Sequence, residues 1–297
     1  MSDVGFIGLG VMGLPMAGHL VTAGHTVHVA SRSRGPIDAA VALGCVDAGD
    51  AAGVVRAADV TVLCVPDSPD VVSVIDLALP ALGPGKTVVD CSTIDPDVER
   101  AQHERVSATG ARFLEAPVSG GMAGAIAGTL TLMCGGDPEV TDELRPLLDA
   151  FSGLIVHVGG PGMGQVVKIC NNVLYAANMV AAAEAFTLAS RAGADLAKTF
   201  EVITHSSGDS LAVRTRVPFP DVSPGSPASN DWAPGFMTDL MAKDVRIAMS
   251  LSAAQGVPMF SGAVAAQMLA LAQRAGFGRE DFSALGKVSR RMAGDEA

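Results

Sequence analysis

Ten residues near the amino end restrict the fold more than any other part of this 297-residue chain. Val4-Gly-Phe-Ile7 reads as a strand, Gly8-Leu9-Gly10-Val11-Met12-Gly13 as a turn, and Val11–Ala23 as the helix that follows. The G-x-G-x-x-G spacing has a physical reason at each glycine. Gly8 permits a tight turn, Gly10 lets the backbone approach a pyrophosphate, and Gly13 lets the helix lie close on the strand. The helix N-terminus then offers free N–H groups and a partial positive charge to the anion. In this strand–turn–helix setting the motif predicts a dinucleotide loop, the alternative being a merely Gly-rich turn.

The chain continues as that beginning requires. Thr26–Ala30, Asp59–Val65, Thr87–Cys91, Arg112–Glu115, Leu130–Cys134 and Leu154–His157 read as further strands. Ile37–Leu43, Val71–Leu79, Val98–Thr109 and Pro138–Ala150 read as helices between them. Strand–helix alternation implies right-handed crossovers and a largely parallel, doubly wound sheet of Rossmann type; the direction of the later strands stays open. After Gly159-Gly-Pro-Gly162 the strand signal ends. A helix from about Met163 to Ala192 follows, then Leu196–Thr204, Met237–Gln255, Ser261–Ala275 and Phe282–Met292. The expectation is an α/β fold in two domains, residues 1–161 binding a dinucleotide and residues 162–297 all-helical, joined by the long helix. Ser206–Gly235 holds five of the seventeen prolines and the single Trp. It reads as a long loop covering a site, or as a surface excursion.

Composition narrows the function classes. A net charge of −11 argues against nucleic acid or an anionic membrane as a partner. Although 49% of residues are hydrophobic, no uninterrupted apolar run nears the ~20 residues of a spanning helix, and Ser2-Asp3 leads into strand too early for a leader. Five widely spaced cysteines, with Cys170 assigned to the core, read as buried thiols in a reducing compartment, so a cytoplasmic protein is expected. The six histidines show no ligand spacing, and no metal site is expected.

Two segments carry the predicted chemistry. The second strand ends in Ala30-Ser31-Arg32-Ser33-Arg34, with no acid for ribose hydroxyls; two guanidiniums and two hydroxyls suit a 2′-phosphate and favour NADP over NAD. Solvated loop charges with NAD accepted are the alternative. On the long helix, Lys168, Asn172, Tyr175 and Met179 share one stripe. Lys168 is placed to exchange a proton with a substrate oxygen and Asn172 to hold that oxygen, or else Lys168 merely snorkels or pairs between domains. Ser119-Gly120-Gly121 follows a strand and reads as a carboxylate-receiving turn or an ordinary tight one. Thr93, after Asp90-Cys-Ser, and Val65-Pro66 lie at strand ends, the ligand edge of such sheets. Within Phe236–Ala248, Lys243-Asp244 reads as a solvated charge pair, the alternative being a helix that returns a cation to the cofactor cleft.

These motifs, in this order, resemble the β-hydroxyacid dehydrogenases, in particular their 3-hydroxyisobutyrate branch. The resemblance rests on Gly8 through Leu20, Asp90-Cys-Ser-Thr-Ile-Asp-Pro96, Ala116-Pro-Val-Ser-Gly-Gly121, Gly128-Thr-Leu, Gly135-Gly-Asp137, and Gly162-Met-Gly through Asn172. It implies Lys168 as the catalytic lysine, with Asn172, Ser119, Gly120, Gly121 and Thr93 binding substrate. It implies Gly8 to Gly13, Ser31, Arg32, Ser33, Val65, Pro66, Thr93 and Lys243 as cofactor contacts. The implied reaction is reversible NAD(P)-dependent oxidation of 3-hydroxyisobutyrate to methylmalonate semialdehyde, a step of valine breakdown, in a homodimer or homotetramer. Reduction of tartronate semialdehyde, oxidation of another short β-hydroxy acid, and non-catalytic dinucleotide binding are the alternatives. Lys at 168, in place of Asp, speaks against imine reductases. Two departures stand out: Ser31 where NAD-using members carry Asp, and Ser210-Leu211 where Cys-Trp is common.

Overall fold

The computed structural model describes residues 2–295. They divide into two compact units, one ending at Lys168 and the other starting at Ile169.

In the first unit, strands and helices alternate as β1 (Asp3–Ile7), α1 (Gly13–Thr22), β2 (Thr26–Ala30), α2 (Arg34–Ala42), β3 (Val46–Asp47), α3 (Ala51–Ala57), β4 (Val60–Leu63), α4 (Ser68–Ala78), β5 (Thr87–Asp90), α5 (Pro96–Ser107) and β6 (Arg112–Glu115). There follow β7 (Val118–Ser119), α6 (Gly121–Ala127), β8 (Leu130–Gly135), α7 (Pro138–Leu148) and β9 (Ser152–Gly159). Strands β3-β2-β1-β4-β5-β6 pair in parallel in that order. The direction left open by the sequence is resolved at β8, which runs antiparallel to β6 and β7 and parallel to β9. The central strands are buried on both faces, as in parallel sheets, whereas β3 and much of β9 at the edges are exposed. Val4, Phe6, Val27, Val29 and Val62 enter one apolar cluster, while Ile7, Leu63, Val88 and Phe113 enter another. Strand order reverses between β1 and β4, so their carboxyl ends form the crevice where such sheets bind ligands.

Helix starts are written in the sequence. Asp50, Asp67, Asp95 and Asp137 each accept a backbone N–H with their side chain and cap α3, α4, α5 and α7, three of these helices having Pro in the first two positions.

The long helix α8 (Met163–Arg191) leaves the first unit, and the second is built from its remainder with α9 (Leu196–Thr204), α10 (Leu211–Arg216), α11 (Thr238–Ala254), α12 (Phe260–Arg274) and α13 (Leu285–Met292). Ala176, Met179 and Ala183 of α8 pack with Met241 and Val245 of α11, Leu269 of α12 and Phe282. The stretch expected to lack structure instead holds α10 and a 3₁₀ turn at Pro227–Ser229; Ser210 caps α10 by accepting the N–H of Val213. Cys170, expected in the core, is exposed. Val167, Leu174 and Leu188 are exposed as well, so α8 is apolar on more than its buried side, and hydrophobicity alone does not tell which face turns inward. By length and composition α8 is apolar enough to cross a membrane, and 44% of that window is buried within the chain. Asn171, Asn172, Asn178 and Glu184 interrupt its apolar run.

Candidate active site

The loop after β1 has the geometry its glycines predict. Gly8 adopts φ +100°, and a Cβ there would lie 2.2 Å from the carbonyl oxygen of Cys64, so the loops after β1 and β4 are in contact. A Cβ at Gly13 would lie 1.9 Å from the carbonyl oxygen of Gly8, which holds α1 tight against the turn. At Gly10 nothing lies within 4 Å of that position. Packing within the chain therefore gives no reason for glycine at 10, whereas close approach of a ligand does.

Within the first unit, helix capping points to the same place. While Asp side chains cap α3, α4, α5 and α7, the N-terminal residues of α1, α2 and α6 make no side-chain cap, and none of the three helices has an acid in its first turn. Each start thus keeps a partial positive charge that no side chain of its own offsets. These three helices line one mainly apolar groove of about 520 Å³, with Gly10 and Val11 from the α1 end, Gly35 and Pro36 from α2, and Met122 and Ile126 from α6. A dinucleotide fits this donor set: phosphate at the uncapped helix starts, flat apolar groups along the groove.

Ser31, Arg32 and Ser33 follow β2 at this groove's α2 side, and Arg32 and Ser33 are exposed. Neither arginine stands alone. Arg32 pairs with Asp70 of α4 at 2.7 Å, and Arg34 pairs with Asp38 and Asp47, both at 2.7 Å. The acid that the sequence lacks after β2 is thus supplied from neighbouring segments, though bonded to guanidinium.

The loops after β4 and β5 are tied to each other. The Val65 N–H donates to Ser92 Oγ at 3.0 Å, and the Ser92 N–H to Asp90 Oδ1 at 2.8 Å. Pro66 is exposed and Thr93 half-buried at this edge. Ser119 ends β7, and Gly120 and Gly121 follow with φ +132° and +60°, values that favour glycine at both. Their turn opens directly into α6, which places Ser119-Gly120-Gly121 at a helix start.

On α8, Lys168 is 6% exposed and Asn172 1%. Four residues separate them, which places them about 40° apart on one face. Tyr175, on the same face, is half-buried, and Arg216 Nε donates to its hydroxyl at 2.8 Å. Trp232, the other rare aromatic, lies under Lys287, whose Nζ sits 3.9 Å from the ring centroid. In the second unit, Asn172 Nδ2 donates to Asp244 Oδ2 at 2.5 Å, and Lys243 Nζ lies 3.2 Å from Asp244 Oδ1. The expectation of a solvated Lys243-Asp244 pair is overturned, because both residues lie on the buried side of α11 with Met241, Val245 and Ala248.

Sequence reasoning missed a buried acid layer at the ends of β5 and β6. Asp90, Glu99 and Glu115 are each at most 1% exposed. Burial first, then the charges of Asp90 and Glu115, pushes Glu99 well above the carboxylate range. Ionised, it would have the Gln165 amide as a donor but would face the charges of Asp90 and Glu115. The form that fits is the neutral acid, donating to Asp90. Glu115 is raised to about 7, mainly by burial, against the lowering effect of backbone N–H groups of Gly164, Gln165 and Gly162. Gln165 was also missed. Its Oε1 accepts the Ile94 N–H at 3.1 Å and its Nε2 donates to the Ser92 carbonyl at 3.0 Å. The only sequence signal for this layer is polar residues on the inward face of α5, Glu99 and Gln102 beside Val106.

Comparison with known proteins places these features in a family. Residues 3–159 match the family model described as the NAD binding domain of 6-phosphogluconate dehydrogenase. Residues 162–289 match that described as the NAD-binding of NADP-dependent 3-hydroxyisobutyrate dehydrogenase. The chain is 39% identical over 291 residues to a NAD-dependent L-serine dehydrogenase of Pseudomonas aeruginosa, covering 97% of this chain and 98% of that one. Among solved structures it resembles 3-hydroxyisobutyrate dehydrogenase of Mycobacterium tuberculosis with L-serine, at a TM-score of 0.90 and 39% identity, covering 98% of this chain and 99% of that one. It also resembles Psf3 in complex with NADP⁺ and 2-OPP, at a TM-score of 0.85 and 30% identity, covering 96% and 99%.

Proposed function

We propose, from the premise that this chain belongs to the β-hydroxyacid dehydrogenase family of NAD(P)-dependent oxidoreductases, that it oxidises 3-hydroxyisobutyrate to methylmalonate semialdehyde. The observation that carries the reading is the buried Lys168, one helical turn before the buried Asn172 on the same face of α8. Burying a lysine costs several kcal/mol unless polar partners offset the lost hydration, so a lysine at this depth on α8 is out of place as simple packing. Lys168 Nζ takes the proton of the substrate hydroxyl as the C–H bond breaks, and returns it in the reverse direction. Asn172, held by Asp244, orients the oxygen, and the Ser119-Gly120-Gly121 turn receives the carboxylate. When bound, NAD(P) supplies the hydride acceptor. L-Serine is the second reading, favoured by the 39% identity to an L-serine dehydrogenase and sharing the same three-carbon β-hydroxy acid frame.

For the cofactor the proposal is NADP over NAD. Support comes from Ser31, Arg32 and Ser33 after β2, with no acid among them. The Arg32–Asp70 pair is no obstacle, since an exposed ion pair contributes only about 0–1 kcal/mol and a 2′-phosphate replaces it with a doubly charged partner. A homodimer or homotetramer in the cytoplasm completes the proposal; the exposed apolar residues Leu174, Leu188 and Phe260 support self-association. The deciding experiment is kcat/KM for 3-hydroxyisobutyrate, L-serine, glycerate and 3-hydroxypropionate, each with NAD and with NADP. Highest values for 3-hydroxyisobutyrate with NADP bear the proposal out. Preference for another acid, or an NAD preference unmoved by Arg32→Ala, refutes the corresponding part.

A further inference from the structure

Glu115 takes no part in the chemistry just described, yet it contacts the helix that carries Lys168. Its Oε1 accepts the Gly164 N–H at 2.9 Å, and the N–H groups of Gly162 and Gln165 also stabilise the carboxylate. These are donors at the start of α8, which no earlier turn of helix can satisfy. The other capping acids of the first unit, such as Asp95 and Asp137, sit immediately before the helices they cap. Glu115 differs: it reaches α8 from β6, 49 residues upstream. A cap of that kind joins a helix end to the sheet and sets its height and rotation, where a local cap only ends the helix.

The surrounding chain is shaped around this carboxylate. Gly135, the register partner of Glu115 on β8, has no room for a side chain, since a Cβ there would lie 1.7 Å from Glu115 Oε1. A Cβ at Gly164 would lie 2.4 Å from the Met133 carbonyl oxygen and 3.2 Å from Glu115 Cδ. Next along α8, Gln165 fastens the same turn to Ser92 and Ile94, the residues flanking Thr93. Lys168 follows three residues later, about 4.5 Å further along the axis.

We propose that Glu115 is a positioning residue for Lys168: by accepting the first N–H groups of α8 it fixes the height and rotation at which the lysine is presented. This inference rests on the reading of Lys168 as the acid–base group. Gln165 gives the same turn a second point of attachment, so the two side chains define the start of α8 relative to the loop bearing Thr93. Shortening Glu115 by one methylene withdraws the carboxylate while keeping its charge. Misplacement of a reacting group by about 1 Å costs up to roughly 100-fold in rate.

The test compares Glu115→Asp, Glu115→Gln, Gly135→Ala and the double variant Glu115→Ala/Gly135→Ala in the full-length protein. Three quantities are read: kcat and KM on the best substrate of the panel, the Kd for dinucleotide, and hydrogen exchange of the Gly164 to Lys168 amides. Glu115→Asp should lower kcat about 10- to 100-fold, leave dinucleotide Kd within about twofold, and speed exchange at the start of α8. Glu115→Gln, which keeps a carbonyl acceptor for the Gly164 N–H, should recover part of kcat. Gly135→Ala should reproduce the Glu115→Asp loss, yet add none in the Glu115→Ala background, where the clash is gone. Normal wild-type turnover with kcat unchanged in Glu115→Asp overturns this inference alone, as does a parallel loss of kcat and dinucleotide affinity. A wild type without turnover on any β-hydroxy acid overturns the proposed function and this inference with it, a failure visible before any variant is made.

Discussion

Replacing Glu115 by Gln should change how the stability of the protein depends on pH. The Glu115 carboxyl is raised from 4.5 to about 7, chiefly by burial, with Asp90 adding to the rise. A raised carboxyl binds its proton more tightly in the folded state than in the unfolded chain. Its contribution to stability is therefore fully present below pH 4.5 and is lost as pH climbs through about 7. A shift of roughly two and a half units at 1.36 kcal/mol per unit corresponds to about 3 kcal/mol lost across that window. Gln does not ionise, so the variant escapes this loss; Glu99, whose carboxyl the Glu115 charge helps to raise, is relieved in the same direction, and titrations away from this layer are common to both proteins. The stability of Glu115→Gln minus that of the wild type should rise by about 3 kcal/mol between pH 4.5 and 8, most steeply near pH 6. Urea unfolding followed by far-UV circular dichroism, at half-unit pH steps and extrapolated to water, measures the difference. A difference that is flat with pH, or that falls, refutes the placement of Glu115 as a buried acid with a raised pKa.

Two further outcomes follow from the geometry. Gly13→Ala forces a Cβ to within 1.9 Å of the Gly8 carbonyl oxygen, so it should displace the loop and weaken dinucleotide binding at least about tenfold, as isothermal titration would show; unchanged affinity would contradict the loop assignment. Arg216→Ala leaves Asp281, which is fully buried, without its guanidinium partner. The Gly235, Phe236 and Ser283 N–H groups still hold that carboxylate, so the cost should lie at the low end for a broken buried pair, about 3 kcal/mol by chemical denaturation, and a cost below 1 kcal/mol would refute the pairing.

Much of the fold was legible because its signals are strong and periodic. Val-rich runs such as Thr26–Ala30 and Thr87–Asp90 are strands, the second buried on both faces, and a glycine loop between strand and helix has few other uses. What escaped notice was short or small. Strands β3 and β7 have two residues each, too few to show a period, and α6 is the Gly- and Ala-rich Gly121–Ala127. At the site, Lys168 and Asn172 stood out because polar groups are rare on an Ala- and Val-rich helix. Burial of Lys243 and Asp244 was hidden, since two adjacent charges look solvated unless the helix face they occupy is known. The Asp90–Glu99–Glu115 layer escaped for a related reason: acids signal a surface, and only the folded sheet reveals that three of them meet beneath it.

The central claim, that Lys168 moves the proton, is tested most directly by Lys168→Ala assayed alongside dinucleotide affinity. The expected result is a kcat lower by about 10²- to 10⁴-fold, with dinucleotide Kd within about threefold of the wild type. Near-normal turnover by a folded, dinucleotide-binding Lys168→Ala protein would contradict it.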